Sequence, residues 1–359
     1  MLQPIIKAVD MDIRGLLQTA VLAPSGDNCQ PWRFETKENE VRVFNLPNRD
    51  TSVYNHNQIA SYAAHGALLE TLSIAAAQNG YAAEISYFPD TSNRDHVATV
   101  VFSATQAADQ PQFGAIPLRT TNRKHYLKRK LESAHGEALR AVGVASELGR
   151  AMIFEAGPAH AALAHAAQLN DRIVFENQWL HAFLFEHIRW SDEEARKTRD
   201  GMDVKTLELA APDRVAFTLL LRHWSAVRLM NFLGVSRMIA KQTYKQVLSA
   251  SALGLITMPG NRPADYVRGG RLIQRVWLEA TRHGLSFHLM AGSALLMQQA
   301  HEGSGRKIAE HHLAELKSAD RQVRETCAIK ESEVLLAVFR TGYSSPPTAR
   351  ALRMDPVVE

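Results

Sequence analysis

Two stretches of this chain, 204 residues apart, read as copies of one helix and its exit. Tyr62, Gly66, Leu68, Leu72, Ala76 and Gly80 fall over Tyr266, Gly270, Leu272, Val276, Ala280 and Gly284 at a constant offset. In each copy apolar residues recur at three- and four-residue spacing, and a glycine closes the pattern as a helix C-terminus favours. The strands that follow start in the same register. Further on, Val97 to Phe102 resembles Val334 to Phe339 with the register slipped, so the second copy carries an insert. Alanine- and leucine-rich helices align easily by coincidence. The shared glycines and the shared order of elements favour duplication, and a duplicated chain folds as two similar units.

The size allows it. The chain has 359 residues, 46% of them hydrophobic, enough for one large or two ordinary domains. The formal net charge of +4 is small for this length, a modest excess of bases and no nucleic-acid footprint. Two cysteines, Cys29 and Cys327, make no disulfide framework and suggest a reducing compartment. Met1 to Asp12 carries Asp10 and Asp12 and no long apolar core, so no signal peptide is expected. No run reaches the roughly 20 apolar residues of a spanning helix. The expectation is a soluble, cytoplasmic protein.

In chain order, the periodicities predict a helix over 10–22, two strands over 33–46 and a helix over 57–79. Strands near 83–88 and 97–103 follow, and 104–116 reads as a linker. A helix over 131–147, a strand over 151–155 and a long helix over 158–188 come next. Residues 189–212 read as loop and short helix. Residues 213–249 are helical, with Phe217, Leu229, Phe232 and Leu233 interleaved with Arg222, Arg228, Arg237 and Lys241. Such a helix lies on a membrane or, more simply, packs over a pocket; the packed reading is preferred. A strand over 252–258, a helix over 264–283, a strand over 285–289 and a helix from Ala291 follow, then a charged stretch to about 330. Val334 to Phe339 reads as a strand buried on both faces, and the proline-containing tail as extended.

Two stretches carry chemistry. In Ala23 to Phe34 an apolar helix runs into Pro24, and Ser25, Gly26, Asp27 and Asn28 are turn formers, with Gly26 suited to positive φ. The turn is either an ordinary helix-to-strand connection or a bend offering amides and a hydroxyl to a flat polar ligand. The second stretch, Pro117 to Tyr126, holds Arg119, Thr120, Thr121 and Arg123. It is either a solvated basic face or a phosphate site. Other motifs fail. Gly303 to Lys307 lacks the spacing of a phosphate loop, and the adjacent His311 and His312 are not expected to face one metal.

The run Ala23-Pro24-Ser25, Asn28, Gln30-Pro31-Trp32-Arg33-Phe34 resembles the signature of the FMN-dependent nitroreductase superfamily. Arg119 to Arg123 resembles that superfamily's Arg-x-Ser/Thr-x-Arg stretch. With the repeat, the whole is similar to its long single-chain, Acg-like branch. The resemblance implies an α+β nitroreductase-like fold in which two pseudo-repeats are fused into a dimer-like chain. Residues 1–110 would form the first half and 117–359 the second, with a helical, lid-like insert at about 190–249. One complete FMN site and one degenerate site are implied. Pro24, Ser25, Gly26, Asn28 and Gln30 fall along the flavin ring and ribityl chain. Arg119, Thr120, Thr121 and Arg123 fall at the phosphate, and Met290, Ala291 and Gly292 at the reactive edge, where Met290 is as readily a packing residue. Arg350 is the second phosphate-binding base, with Arg353 its competitor. No catalytic side chain and no metal ligand is assigned, and Cys29 reads as a buried filler.

The function implied is an FMN-dependent oxidoreductase that passes hydride through flavin N5 to a small, planar substrate, with NAD(P)H as donor. The alternative is a protein that holds FMN under a lid without NAD(P)H turnover; a role in specialised metabolism is a third idea. The expected partners are a small-molecule substrate and NAD(P)H, with no nucleic acid. The chain is either a monomer of pseudo-dimer architecture or a further homodimer.

Overall fold

The computed structural model describes residues 11–305 and 307–359. The expectation on Met1 to Asp12 therefore lies mostly outside the described residues, as does Arg306 of the Gly303 to Lys307 fragment.

Local chemistry sets the first elements. Helix α1 (Ile13–Ala20) is capped by Asp12, whose carboxylate accepts from the Gly15 amide. Strands β1 (Trp32–Lys37) and β2 (Glu40–Asn45) form a hairpin with Glu38 at φ 51°. Helix α2 (Ile59–Gln78) leads to β3 (Tyr81–Tyr87) and β4 (His96–Ala104). Helix α3 (Ser133–Val142) then leads to β5 (Arg150–Phe154). Six helices intervene: α4 (Pro158–Glu176), α5 (Gln178–Glu186), α6 (Asp192–Thr198), α7 (Ala211–Ala216), α8 (Trp224–Asn231) and α9 (Val235–Val247). Strand β6 (Ala252–Met258), α10 (Pro263–Arg282), β7 (Ser286–Leu289), α11 (Ala291–Glu302), α12 (Glu310–Thr326) and β8 (Val334–Gly342) complete the order.

Two four-stranded sheets result. Their orders are β1-β2-β4-β3 and β5-β6-β8-β7, with antiparallel neighbours throughout. The two orders are the same when α1, β1, β2, α2, β3 and β4 are matched to α3, β5, β6, α10, β7 and β8. The repeat seen in the sequence is thus a repeat of connectivity. Helices α11 and α12 are the insert between the last two strands of the second copy, and α4 to α9 are a larger one before β6.

Helices α2 and α10 cross at the centre of a core that reaches both sheets, from Leu68 and Phe102 to Trp277 and Phe339. The crossing is reciprocal. A Cβ on Gly66 would lie 1.9 Å from the Val267 carbonyl oxygen, and one on Gly270 1.9 Å from that of Ala63. Ala63 and Val267 are themselves equivalent in the repeat, so the contact has the form of a two-fold interface. Beside it the buried Glu70 carboxylate accepts from Arg271 (2.7 Å) and also from Arg275. A second core joins α4, α11 and α12 to the other face of the second sheet through Leu163, Leu253 and Val338.

Several elements differ from expectation. The 158–188 helix is two helices, because Asn177 caps the second by accepting from the Trp179 and Leu180 amides. Residues 213–249 are broken by a π-helical turn, Phe217–Leu221, and by Gly234 at φ 82°. The charged stretch before 330 is mostly the helix α12. Gly26 does not have positive φ; Asp27 (43°), Asn28 (59°) and Gln30 (50°) do. A Cβ at Gly26 would lie 3.3 Å from an Asp50 carboxylate oxygen, a tight contact. The tail is extended but tethered: the Phe34 amide donates to Val357 (2.9 Å) and the Glu359 amide to Phe34 (2.9 Å), in parallel with β1.

Candidate functional site

A cavity of about 650 Å³ lies where the two halves meet. Its wall takes residues from the α1–β1 turn, α2, the segment before α3, α10, the start of α11 and the tail. Of the residues expected from sequence, Pro24, Ser25, Gly26, Asn28, Arg119, Thr120, Thr121, Arg123, Met290, Ala291, Gly292 and Arg350 all line it. Gln30 does not. It is fully buried behind the turn, where its Nε2 donates to the Arg199 carbonyl (2.9 Å) and its Oε1 accepts from the Met354 amide (2.9 Å).

Segment 119–123 is held as an added edge beside β7. Thr121 bridges Phe287, the Asn122 amide donates to the Phe287 carbonyl (2.9 Å), and Asn122 Nδ2 donates to Ser286 Oγ (2.9 Å). This edge separates the two arginines. Arg119 is buried with its guanidinium 4.5 Å from the Trp277 ring centre, and it donates to the Leu22 carbonyl (2.8 Å). Arg350 donates to the Arg119 carbonyl (2.8 Å), and Arg353 to that of Ala23 (3.3 Å). Burial, then the neighbouring Arg353 and Arg350, hold the Arg119 pKa well below its usual range. Burial and Arg350 push Arg353 down to about 10. No carboxylate acts on any of the three among the described residues. Three cations thus share one end of the cavity, where carbonyl oxygens and the Trp277 ring are their protein partners and no carboxylate balances their charge.

Arg123 stands apart from this group. Its guanidinium donates to the Thr206 carbonyl (3.1 Å) and touches the Met202 sulfur (3.5 Å). Burial lowers its pKa, and Asp27, Glu208 and Asp171 partly restore it. The sequence cluster therefore serves two ends of the site.

The turn is locked from outside. Asn28 Nδ2 donates to the carbonyls of Gly201 (3.1 Å) and Leu352 (2.9 Å), so the segment after α6 and the tail both close over it. Arg199 pairs with Asp355 (2.9 Å) in the same cover. At the other end, the Met290 amide donates to Val338 (2.7 Å) and aims the start of α11 at the cavity. The first-turn amides of such a helix lack intrahelical acceptors. Gly292 is needed there, since a Cβ would lie 2.8 Å from the Tyr54 ring.

Three buried polar atoms of the wall have no partner among the described residues: Arg119 Nε, Asn28 Oδ1 and Trp277 Nε1. Nearby, Tyr54 donates to Asn170 Oδ1 (3.2 Å) and Asn170 to Asp171 (3.1 Å). Burial pushes the Asp27, Asp50 and Asp171 carboxyls and the Cys29 thiol up. The raised thiol suits a buried filler better than a nucleophile.

Away from the cavity, His311 and His312 approach more closely than expected, with ring centres 3.9 Å apart, and with Glu176 bring three ligand atoms within 4.8 Å. Within the group His312 Nε2 bonds Glu176 (2.8 Å), which also accepts from Ser236 (2.7 Å), while the buried His312 Nδ1 has no partner among the described residues.

Sequence reasoning left out Trp277, Tyr54, Asn170 and the segment 199–206. The Asn170-Asp171 pair within the long, alanine-rich helix α4 was the available signal. Arg353, the competitor of Arg350, lines the cavity beside it.

No protein-family model matches the chain. It is 26% identical over 340 residues to "Uncharacterized protein MT1398" of Mycobacterium tuberculosis, covering 94% of this chain and 46% of that protein, so it spans about half of that relative's length. It is also 26% identical over 278 residues to "Putative NAD(P)H nitroreductase acg" of the same species, covering 76% of this chain and 78% of the relative. In sequence the chain is similar to members of the nitroreductase superfamily. Within that superfamily, the FMN-dependent nitroreductase NfnB of Mycobacterium smegmatis, solved with NADPH, overlaps 66% of this chain and 88% of its own at 14% identity. The TM-score is 0.36. No helix among the described residues is long and apolar enough to cross a membrane.

Proposed function

We propose that the cavity binds one FMN and that the chain is an FMN-dependent oxidoreductase acting on a small, planar substrate, with NAD(P)H as electron donor. The observation that carries this reading is the trio Arg119, Arg350 and Arg353, without a carboxylate partner among the described residues, at one end of the cavity. A phosphate there accepts charge-assisted hydrogen bonds and removes the repulsion. The orphaned Arg119 Nε is a donor for it, and Asn28 Oδ1 and Trp277 Nε1 are free to pair with a ribityl chain or ring edge. The residues fit the group.

Bound FMN supplies hydride acceptance and donation at its N5 atom. The chain's own residues then have defined tasks. Arg119, Arg350 and Arg353 hold the phosphate, and Thr120 and Thr121 offer hydroxyls. Pro24, Ser25, Gly26 and Asn28 give the ring a wall. The first-turn amides at Ala291 and Gly292, which line the cavity, would favour negative charge on the ring. Arg123 adds positive charge on the substrate side, beneath Thr206. The cover made by residues 199–206 and 350–354 excludes water.

A second reading is favoured by that cover. Asn28, Gln30, Arg199 and Met354 stitch it to the turn, as suits a protein that retains FMN without NAD(P)H turnover. Mixing the flavin-loaded protein with NADPH under anaerobic conditions separates the two. Bleaching of the flavin absorbance supports the oxidoreductase; persistence of the oxidised spectrum supports retention.

A further inference from the structure

The outer face of helices α7 to α9 is apolar where the fold gives it nothing to cover. Seven large hydrophobic side chains between 215 and 238 are exposed, among them Leu219, Leu229, Phe232, Leu233 and Met238. Phe232 and Leu233, at the α8–α9 turn, are 83% and 86% exposed. The inner faces are already used: Val227, Ala240 and Val247 are buried, and Thr243 donates to Asp171 (2.7 Å). The packed reading of this segment therefore holds for its inner face and fails for its outer one.

Charge decides what covers it. Residues 211–249 contain six bases, Arg214, Arg222, Arg228, Arg237, Lys241 and Lys245, against one acid, Asp213. A second copy of the chain pairing through this face would set a cationic surface against itself. We propose that this face binds an anionic lipid bilayer. Phe232, Leu233 and Leu229 enter the headgroup–acyl boundary while Arg228, Arg237 and Lys241 meet anionic headgroups, the arrangement of an interfacial amphipathic segment. The contact is peripheral, on the side of α9 away from Thr243 and its partner Asp171.

Flotation of the full-length protein with vesicles tests this. Vesicles of phosphatidylcholine containing phosphatidylglycerol carry the protein at low salt, and raised salt releases it. Pure phosphatidylcholine vesicles carry much less. Phe232→Ser with Leu233→Ser lowers partitioning roughly tenfold or more, and Arg228→Gln or Arg237→Gln roughly fivefold each. All four residues are exposed, so the variants keep the wild-type melting curve. The proposal is overturned if phosphatidylglycerol vesicles leave the protein unfloated, if binding is equal on neutral vesicles, or if the double serine variant binds unchanged. It is equally overturned if sedimentation shows a dimer that Phe232→Ser dissociates.

Discussion

Gly66 and Gly270, equivalent positions of the repeat, each occupy the point where the other's helix backbone leaves no space for a side chain, with a would-be Cβ 1.9 Å from carbonyl oxygen in both directions. The two halves are joined through this crossing. Gly66→Ala or Gly270→Ala forces the helices apart and costs about 3 kcal/mol or more, the upper range for overpacking. The double variant costs less than the sum, because one displacement relieves both clashes. Denaturant unfolding midpoints check both statements; a neutral single variant contradicts the close crossing.

Removing one member of the arginine trio separates binding from stability. Arg353→Met weakens FMN binding by about 1.5–3 kcal/mol, the value of a charged hydrogen bond. It leaves the flavin-free protein as stable as wild type or more so, since a desolvated, repelled cation is gone. FMN titration and melting of the flavin-free protein report the two effects. Loss of apo stability would assign Arg353 a structural role instead.

The Asn28 amide is one of the ties that hold the cover. Asn28→Asp replaces the donor to Gly201 and Leu352 with an oxygen, and the two carbonyls repel it. Limited proteolysis should cut the 199–206 segment faster in this variant, while protease sites in the sheets stay protected. Equal cutting rates argue that other contacts hold the cover shut.

Acid stability carries a signature of His65. It is fully buried, and burial holds its pKa below the usual 6.5 although the carbonyls of Ser61 and Phe44 lie beside its nitrogens. A depressed pKa contributes stability above 6.5 that is lost as pH falls through the folded value, by at most about 1.4 kcal/mol per pH unit for one proton. His65→Gln therefore flattens the decline of stability between about pH 6.5 and 5. An unchanged slope would mean that His65 takes up its proton in the folded state.

The parts of this protein that were readable beforehand are those written locally. The glycine spacing of α2 and α10 revealed the repeat, and the turn from Ala23 to Phe34 and the Arg119–Arg123 run pointed to one cavity. What stayed hidden depends on contacts between distant segments. Gln30 sits within the turn motif, yet its partners are Arg199 and Met354, and these draw it behind the wall. Arg119 and Arg123 look alike in sequence, but the edge pairing with β7 sends them to opposite neighbours. Trp277 shows only as one more apolar residue of α10. Its place under Arg119 follows from how α10 crosses α2, which no periodicity records.

The most direct test compares FMN with riboflavin, which lacks the phosphate, by titration against the flavin-free protein. The account predicts one FMN per chain and riboflavin bound far more weakly, with Arg353→Met erasing most of the difference. A chain that refuses FMN, or that binds riboflavin as tightly, would contradict it.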